Sequence, residues 1–117
     1  YSVHAPLTPE TQDMISDAEI ARMKQDVILL NVSRGGLINE AALAKGLRDG
    51  KVGGAGVDVL TTEPPKPDNP LLANDLGNFI ITPHTAFASE EALEKLVKLL
   101  INNINQFVAG KPENVVN

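Results

Sequence analysis

The sequence predicts an α/β fold built around a parallel β-sheet. Short apolar runs rich in β-branched residues, as strands require, alternate along the chain with segments whose apolar residues recur at helical spacing. Strands that are connected through helices pair in parallel through right-handed crossovers. The composition agrees, since 43% of the 117 residues are hydrophobic and 21% are charged, as in an ordinary globular domain.

Four segments have the pattern of strands. Residues 27–32 form a short, mostly apolar segment rich in β-branched residues, which predicts a strand that is buried on both faces. Residues 54–59 form the next strand, and its small residues allow a helix to pack closely against it. Shorter strands are predicted at residues 2–5 and 79–82, each followed by a proline.

The predicted helices begin at recognisable capping residues. Ser16 and Glu19 form a capping box at the start of a short helix that runs to about residue 24. Asn39 caps a second helix, which ends before Gly50. Ser89 caps the longest helix, predicted for residues 89–109, and its apolar residues form one stripe.

The number of elements predicts about half of a dinucleotide-binding fold. A doubly wound fold of that kind has two such halves, and its phosphate-binding loop carries a G-x-G-x-x-G motif between a strand and a helix. The glycines at residues 53, 54 and 56 lead into a strand instead, which is the wrong context for such a loop. We therefore expect a Rossmann-like half domain with a parallel sheet, followed by a long C-terminal helix.

The charge and the residue types exclude several classes of protein. A net charge of −5, with no basic cluster, argues against nucleic acid as a partner. Without cysteine there is no disulfide, no thiolate nucleophile and no cysteine-ligated zinc, and we expect no metal site. No apolar run is long enough to cross a bilayer and no signal peptide is recognisable, so we expect a cytoplasmic protein without a membrane partner.

Polar side chains follow the predicted strands at their carboxyl ends. Arg34 follows the second strand, Asp58 ends the third, Glu63 lies a few residues beyond it, and His84 follows the fourth. The carboxyl ends of parallel strands meet at one edge of the sheet, where α/β proteins bind ligands. Each residue also has an ordinary interpretation: a solvated loop arginine, a solvated glutamate, or a loop histidine without a chemical role.

Together, these side chains predict a specific chemistry. Arg34 would bind a substrate carboxylate through its guanidinium. His84 would transfer a proton at the substrate oxygen, and Glu63 would orient the imidazole from its other side. An anion clamp and a proton donor beside a nicotinamide are the parts that hydride reduction of a 2-keto acid needs.

The chain resembles the D-isomer-specific 2-hydroxyacid dehydrogenases in four stretches that span nearly its whole length. These are VHAPLTPET, LLNVSRGGLINEAAL, GGAGVDVLTTEPP and IITPHTAFAS, in the order and at the spacing of that family. Within the family, DVLTTEPPKPDNPLL and AGKPENVVN are most similar to the glycerate dehydrogenase (hydroxypyruvate reductase) branch.

The resemblance implies an NAD- or NADP-dependent enzyme with two Rossmann-like domains that acts as a homodimer. It assigns catalysis to Arg34, Glu63 and His84, with Arg34 and His84 also binding substrate. It assigns Asp58 to the nicotinamide amide. The other positions implied to contact the dinucleotide are Ala5, Val32, Ser33, Thr85, Ala86 and Phe87.

The resemblance also implies a division of the chain and a function for its parent protein. Residues 1–88 would be the second half of the NAD(P)-binding domain, and residues 89–117 a helix and tail that pack toward a substrate domain. The parent would reduce hydroxypyruvate or glyoxylate to the D-hydroxy acid, and the chain alone, a C-terminal fragment without the phosphate-binding loop, would be inactive. Two alternatives stay open: a family member acting on D-lactate, D-3-phosphoglycerate or formate, and a dinucleotide-sensing corepressor of the same fold.

Overall fold

A computed structural model describes residues 1–116, which form two compact units. The first unit comprises residues 1–84 and contains a four-stranded parallel sheet, so the predicted α/β fold is confirmed. Its strands lie side by side in chain order, and each pairs in parallel with the next. They are β1 (Ser2–Val3), β2 (Val27–Asn31), β3 (Val52–Val57) and β4 (Phe79–Ile81).

Two α-helices and one short 3₁₀ helix connect the strands. Helix α1 (Asp17–Arg22) begins after Ser16, whose backbone N–H and hydroxyl both donate to the Glu19 carboxylate at 3.0 Å. Helix α2 (Glu40–Arg48) begins after Asn39, whose side chain accepts from the Ala42 N–H. The 3₁₀ helix (Pro70–Leu72) interrupts the proline-rich connection between β3 and β4.

The sheet of the first unit is buried on one face, and the prediction that β2 is buried on both faces is wrong for the described residues. Leu29 is fully buried, but Ile28 is 52% exposed and Leu30 is 43% exposed. Because the strands advance across the sheet in one direction, right-handed crossovers carry both α1 and α2 over the same face. An apolar run has the same appearance in the sequence whether one or both of its faces are covered.

The core of the first unit lies between that covered face and the two helices. Its largest fully buried side chains are Leu29, Leu37, Leu43 and Val52. Asn31 and Asp58 are the polar residues with similar burial, and both lie where a strand ends. The covered face therefore supports the loops at the carboxyl edge of the sheet.

The second unit begins at Thr85 and contains helix α3 (Glu90–Val108). Ser89 caps it as predicted, because its hydroxyl accepts from the Ala92 N–H at 3.2 Å. The tail hydrogen-bonds to the helix, since the Asn102 amide donates to Glu113. None of the helices in residues 1–116 is both long and apolar enough to cross a membrane.

Candidate active site

The loops that follow β2, β3 and β4 carry the predicted catalytic residues at one edge of the sheet. Arg34, Glu63 and His84 all border a single cavity of about 250 Å³. Leu7, Val59 and Leu60 supply apolar parts of its wall. A cationic, an anionic and a proton-transferring side chain thus border one space that is large enough for a small organic acid.

Glu63 and His84 are directly paired. The Nδ1 atom of His84 lies 2.7 Å from Oε2 of Glu63, and both side chains are partly solvated. The other carboxylate oxygen of Glu63 accepts from the Leu60 backbone N–H at 2.8 Å. The hydrogen bond from Leu60 holds the Glu63 carboxylate in place, and the carboxylate can therefore fix the orientation of the His84 imidazole.

Hydrogen bonds determine the charge state of Glu63. The Leu60 N–H is the largest contribution and the His84 ring is the next, and together they hold the pKa of the Glu63 carboxyl below its usual value. Partial burial acts in the opposite direction and does not overcome them. Glu63 is therefore a carboxylate at neutral pH, as a group that orients an imidazole must be.

His84 has an unusual backbone conformation. Its φ of 56° lies in the left-handed region, which residues other than glycine seldom occupy. Its N–H donates to the Thr82 carbonyl at 3.0 Å, which closes a tight turn directly after β4. The turn directs the chain so that His84 meets Glu63, and strained backbone of this kind is concentrated at functional sites.

The loop that carries Arg34 is held by Asn31, a buried residue at the end of β2. The Asn31 side-chain amide donates to the Arg34 carbonyl at 2.8 Å, and its oxygen accepts from the Ser33 N–H at 3.1 Å. The Ser33 hydroxyl donates to the Val3 carbonyl of β1. The backbone of Arg34 is thus fixed from two sides, while its guanidinium, which donates to the Ser33 carbonyl at 2.6 Å, lies at the exposed surface.

The Arg34 loop and the Glu63 loop are in direct backbone contact through Gly35. A Cβ atom at Gly35 would lie 2.0 Å from the Leu60 carbonyl carbon and 2.4 Å from the Thr61 nitrogen. The missing side chain allows a close backbone approach, and at Gly35 this approach is to the neighbouring loop. The adjacent Gly36, with φ of 83°, needs the same conformational freedom for the turn.

The predicted cofactor residues of the first unit lie along the same edge. Asp58 follows β3, is 3% exposed, and accepts a short hydrogen bond from the Thr82 hydroxyl. Ala5 and Ser33 border a second cavity, of about 610 Å³, that Arg34 also borders. Val32 is half exposed, at the carboxyl end of β2.

These residues fit the nicotinamide end of a dinucleotide. A buried carboxylate such as Asp58 is a suitable acceptor for a carboxamide N–H, and the small side chain of Ala5 leaves room for a flat ring. Within residues 1–116 there is no cluster of three His, Asp or Glu side chains that would hold a metal ion.

The other three predicted cofactor residues, Thr85, Ala86 and Phe87, belong to the second unit. They form a turn before helix α3, in which the Thr85 carbonyl accepts from the Ala88 N–H at 2.9 Å. The Phe87 side chain is 58% exposed.

Sequence reasoning missed three residues that hold the site together. Asn31 lies within the predicted strand at residues 27–32, Glu40 directly follows the predicted helix cap Asn39, and Gly35 follows Arg34. A single polar residue that ends an otherwise apolar strand is the signal that points to Asn31. The partners of Glu40 lie more than twenty residues away, at Thr61 and Asn69, so local patterns do not reveal them.

Comparison with known proteins identifies the family. A family model described as the NAD-binding domain of D-isomer-specific 2-hydroxyacid dehydrogenases matches residues 1–86. The chain belongs to this family. The D-2-hydroxyacid dehydrogenase family and its NAD(P) cofactor class, both predicted from the sequence, are thereby confirmed.

Individual members of the D-2-hydroxyacid dehydrogenase family match almost the whole chain. It is 52% identical to a glycerate dehydrogenase from Methylorubrum extorquens, over 98% of this chain and 37% of that protein. It is 48% identical to a hydroxypyruvate reductase from Blautia hydrogenotrophica, over 99% of this chain and 35% of that protein. The chain thus spans about a third of the length of these relatives.

A solved structure shows the same fold. An acyclic imino acid reductase in complex with NADPH and D-Arg superimposes with a TM-score of 0.82 at 39% identity, over 99% of this chain and 36% of that one. The D-2-hydroxyacid dehydrogenase fold predicted from the sequence is therefore confirmed by both sequence and structure.

Proposed function

We propose that this chain is part of an NAD(P)-dependent enzyme that reduces a small 2-keto acid, hydroxypyruvate or glyoxylate, to the D-hydroxy acid. The observation that carries the proposal is the cavity bordered by Arg34, Glu63 and His84, with the 2.7 Å bond between the last two. The similarity to a glycerate dehydrogenase and a hydroxypyruvate reductase supports the choice of substrate.

In this proposal Arg34 binds and orients the substrate. Its guanidinium can form two parallel hydrogen bonds to a carboxylate, which fixes the plane of the keto acid as well as its position. The Asn31 amide holds the Arg34 backbone, so the guanidinium is attached to a fixed part of the loop. The apolar side chains of Val59 and Leu60 border the same cavity and lower the polarity on that side of the proposed ion pair.

His84 supplies the proton. Its Nδ1 faces Glu63, so we assign the transfer to Nε2, which donates to the carbonyl oxygen as that oxygen gains negative charge. When bound, NADH or NADPH supplies the hydride that C2 of the keto acid accepts. The Glu63 carboxylate orients the ring, and in the oxidative direction His84 takes the hydroxyl proton instead.

The cofactor-binding residues take supporting roles. Asp58 would accept a hydrogen bond from the nicotinamide carboxamide, and Ala5, Val32 and Ser33 would border the ring and its ribose. We propose residues 1–88 as the second half of the NAD(P)-binding domain. The full-length protein would be a homodimer.

The proposal is tested by kinetics of the full-length protein with hydroxypyruvate, glyoxylate, pyruvate and 3-phosphohydroxypyruvate, each with NADH and with NADPH. H84N should lower kcat by about a hundredfold or more, because it removes the proton donor. R34A should mainly raise KM by about tenfold to a hundredfold, because it removes carboxylate binding. The matched control is R48A, whose arginine pairs with Asp75 at the surface of α2.

Three outcomes would contradict the proposal. Unchanged kcat/KM in H84N would remove the proton-donor role, and an R34A variant that behaves like R48A would remove the carboxylate clamp. Tight binding of the dinucleotide without turnover of any keto acid would favour a dinucleotide-sensing protein instead.

A further inference from the structure

The Glu40 carboxylate makes contacts that its place at the start of a helix does not explain. It is the first residue of α2, where an acidic side chain ordinarily interacts with the positive end of the helix dipole. Its carboxylate instead bonds to two groups of the β3–β4 connection. Oε1 accepts from the Thr61 backbone N–H at 2.6 Å, and Oε2 accepts from the Asn69 side-chain amide at 2.7 Å.

These two contacts fasten both ends of the segment that carries Glu63. Thr61 lies two residues before Glu63 and Asn69 lies six residues after it. Asn69 is itself anchored, because its side-chain oxygen accepts from the Leu71 N–H at 2.9 Å. One carboxylate on α2 therefore connects to both ends of the loop that carries Glu63, the partner of His84.

The backbone between Leu60 and Thr61 connects Glu40 to the site. Consecutive N–H groups are held by two different glutamates: Leu60 donates to Glu63, and Thr61 donates to Glu40. The same peptide lies against Gly35 of the Arg34 loop. A change in the position of Thr61 must therefore move the Leu60 N–H, which is the largest contribution to the lowered pKa of Glu63.

We propose that Glu40 is a positioning residue, which sets the geometry of the Glu63–His84 pair by clamping both ends of the Glu63 loop to helix α2. The inference rests on the proposed function, since it takes Glu63 to serve His84 in proton transfer. Its specific consequence is that Glu40 controls kcat rather than substrate binding, because the Arg34 backbone is held separately by Asn31.

The test uses single and double variants of the full-length protein, with hydroxypyruvate and NADH or NADPH. E40A removes both acceptors and should lower kcat by about tenfold or more, with a much smaller change in KM. E40Q keeps an oxygen for the Thr61 N–H but sets its own amide donor against that of Asn69, so it should recover only part of the lost kcat. The matched control is E19A, which removes the corresponding first-turn carboxylate of α1 and its bonds to Ser16, far from the site in the chain.

If E40A does not fold, a second set of variants tests the inference by exchanging the hydrogen-bond donor and acceptor between residues 40 and 69. N69D preserves the oxygen that Leu71 needs, but it sets one carboxylate against another at Glu40 and should lower kcat severalfold. In the double variant E40Q/N69D, the Gln amide donates to Asp and its oxygen still accepts from Thr61. Both links are then restored, and kcat should return to within about twofold of the unmodified value.

Hydrogen exchange of the Leu60 amide gives a readout that does not depend on turnover. In E40A and N69D this amide should exchange faster, although its own partner Glu63 is unchanged, and in E40Q/N69D and E19A it should exchange as in the unmodified protein. Three results would overturn the inference. The first is unaltered protection of the Leu60 amide in E40A and N69D, and the second is a loss of kcat in the double variant equal to the sum of the single losses. The third is a loss of kcat in E19A as large as that in E40A. If the unmodified protein reduces no 2-keto acid, the proposed function fails, and the Leu60 exchange still decides the role of Glu40.

Discussion

Replacing Gly35 by alanine tests the contact between the loop that carries Arg34 and the loop that carries Glu63. The added Cβ would lie 2.0 Å from the Leu60 carbonyl carbon and 2.1 Å from its oxygen, and ordinary contact begins at 3.4 Å. The atoms it meets are backbone, so no side-chain rotation relieves the clash, and the two loops must separate by more than an ångström. Overpacking of this kind costs about 1–3 kcal/mol in the free energy of unfolding, and we expect G35A at the upper end of that range.

The same displacement should affect catalysis. Gly35 follows Arg34 and contacts the backbone that holds Glu63, so its movement changes the distance between Arg34 and the Glu63–His84 pair. A misplacement of about 1 Å at a reacting centre costs about a hundredfold in rate. We therefore expect kcat/KM for hydroxypyruvate to fall by about that factor in the full-length protein.

The matched control is G77A. Nothing lies within 4 Å of a Cβ at Gly77, and its backbone is outside the left-handed region. Alanine there should leave kcat/KM unchanged and raise the free energy of unfolding slightly, by about 0.4–1 kcal/mol, because it restricts the unfolded chain. Urea unfolding followed by circular dichroism measures both variants. If G35A has the urea midpoint and the kcat/KM of G77A, the two loops are not in contact and the reasoning is refuted.

Three further predictions follow from the hydrogen bonds and the core. The lowered pKa of Glu63 means that its ionised carboxylate stabilises the fold above the ordinary glutamate pKa, and that this contribution is lost as the pH falls through the folded value. The difference in urea midpoint between unmodified protein and E63Q should therefore shrink on acidification from about pH 7 to about pH 3; a constant difference would contradict it. N31A should raise KM for the 2-keto acid by about tenfold with a smaller change in kcat, since the amide fixes the Arg34 backbone; equal losses in both would argue for general damage. L29A should lower the free energy of unfolding by about 2–5 kcal/mol, because this side chain is fully buried, and a loss below about 1 kcal/mol in urea unfolding would contradict that packing.

The sequence was sufficient for the order of the elements and for the edge at which the site forms. Apolar runs, capping residues and alternation of strands with helices predicted a parallel sheet, and parallel strands bring the residues after them to one edge. The structure gathers Arg34, Glu63 and His84 around one cavity at that edge, and their roles stay predictions.

The remaining features depend on tertiary contacts that local patterns do not encode. The exposed face of β2 could not be recognised, because Ile28 and Leu30 have the same residue types as a strand covered on both sides. Glu40 has the sequence context of a helix-start acid, and only the folded chain brings Thr61 within 2.6 Å of it. Sequence patterns therefore indicated which groups do the proposed chemistry, and the structure adds which groups hold them.

The sequential strand order also determines how far apart the loops of Arg34 and His84 lie. Arg34 extends from the end of β2 and His84 from the end of β4, with β3 between them. Neighbouring strands are spaced by about 4.8 Å, so the two loops stand about 10 Å apart at their bases. In the proposed function, a substrate that contacts both residues has to span the part of this distance that the two side chains leave open. The spacing of the strands would therefore limit the length of an acid that can contact both residues at once.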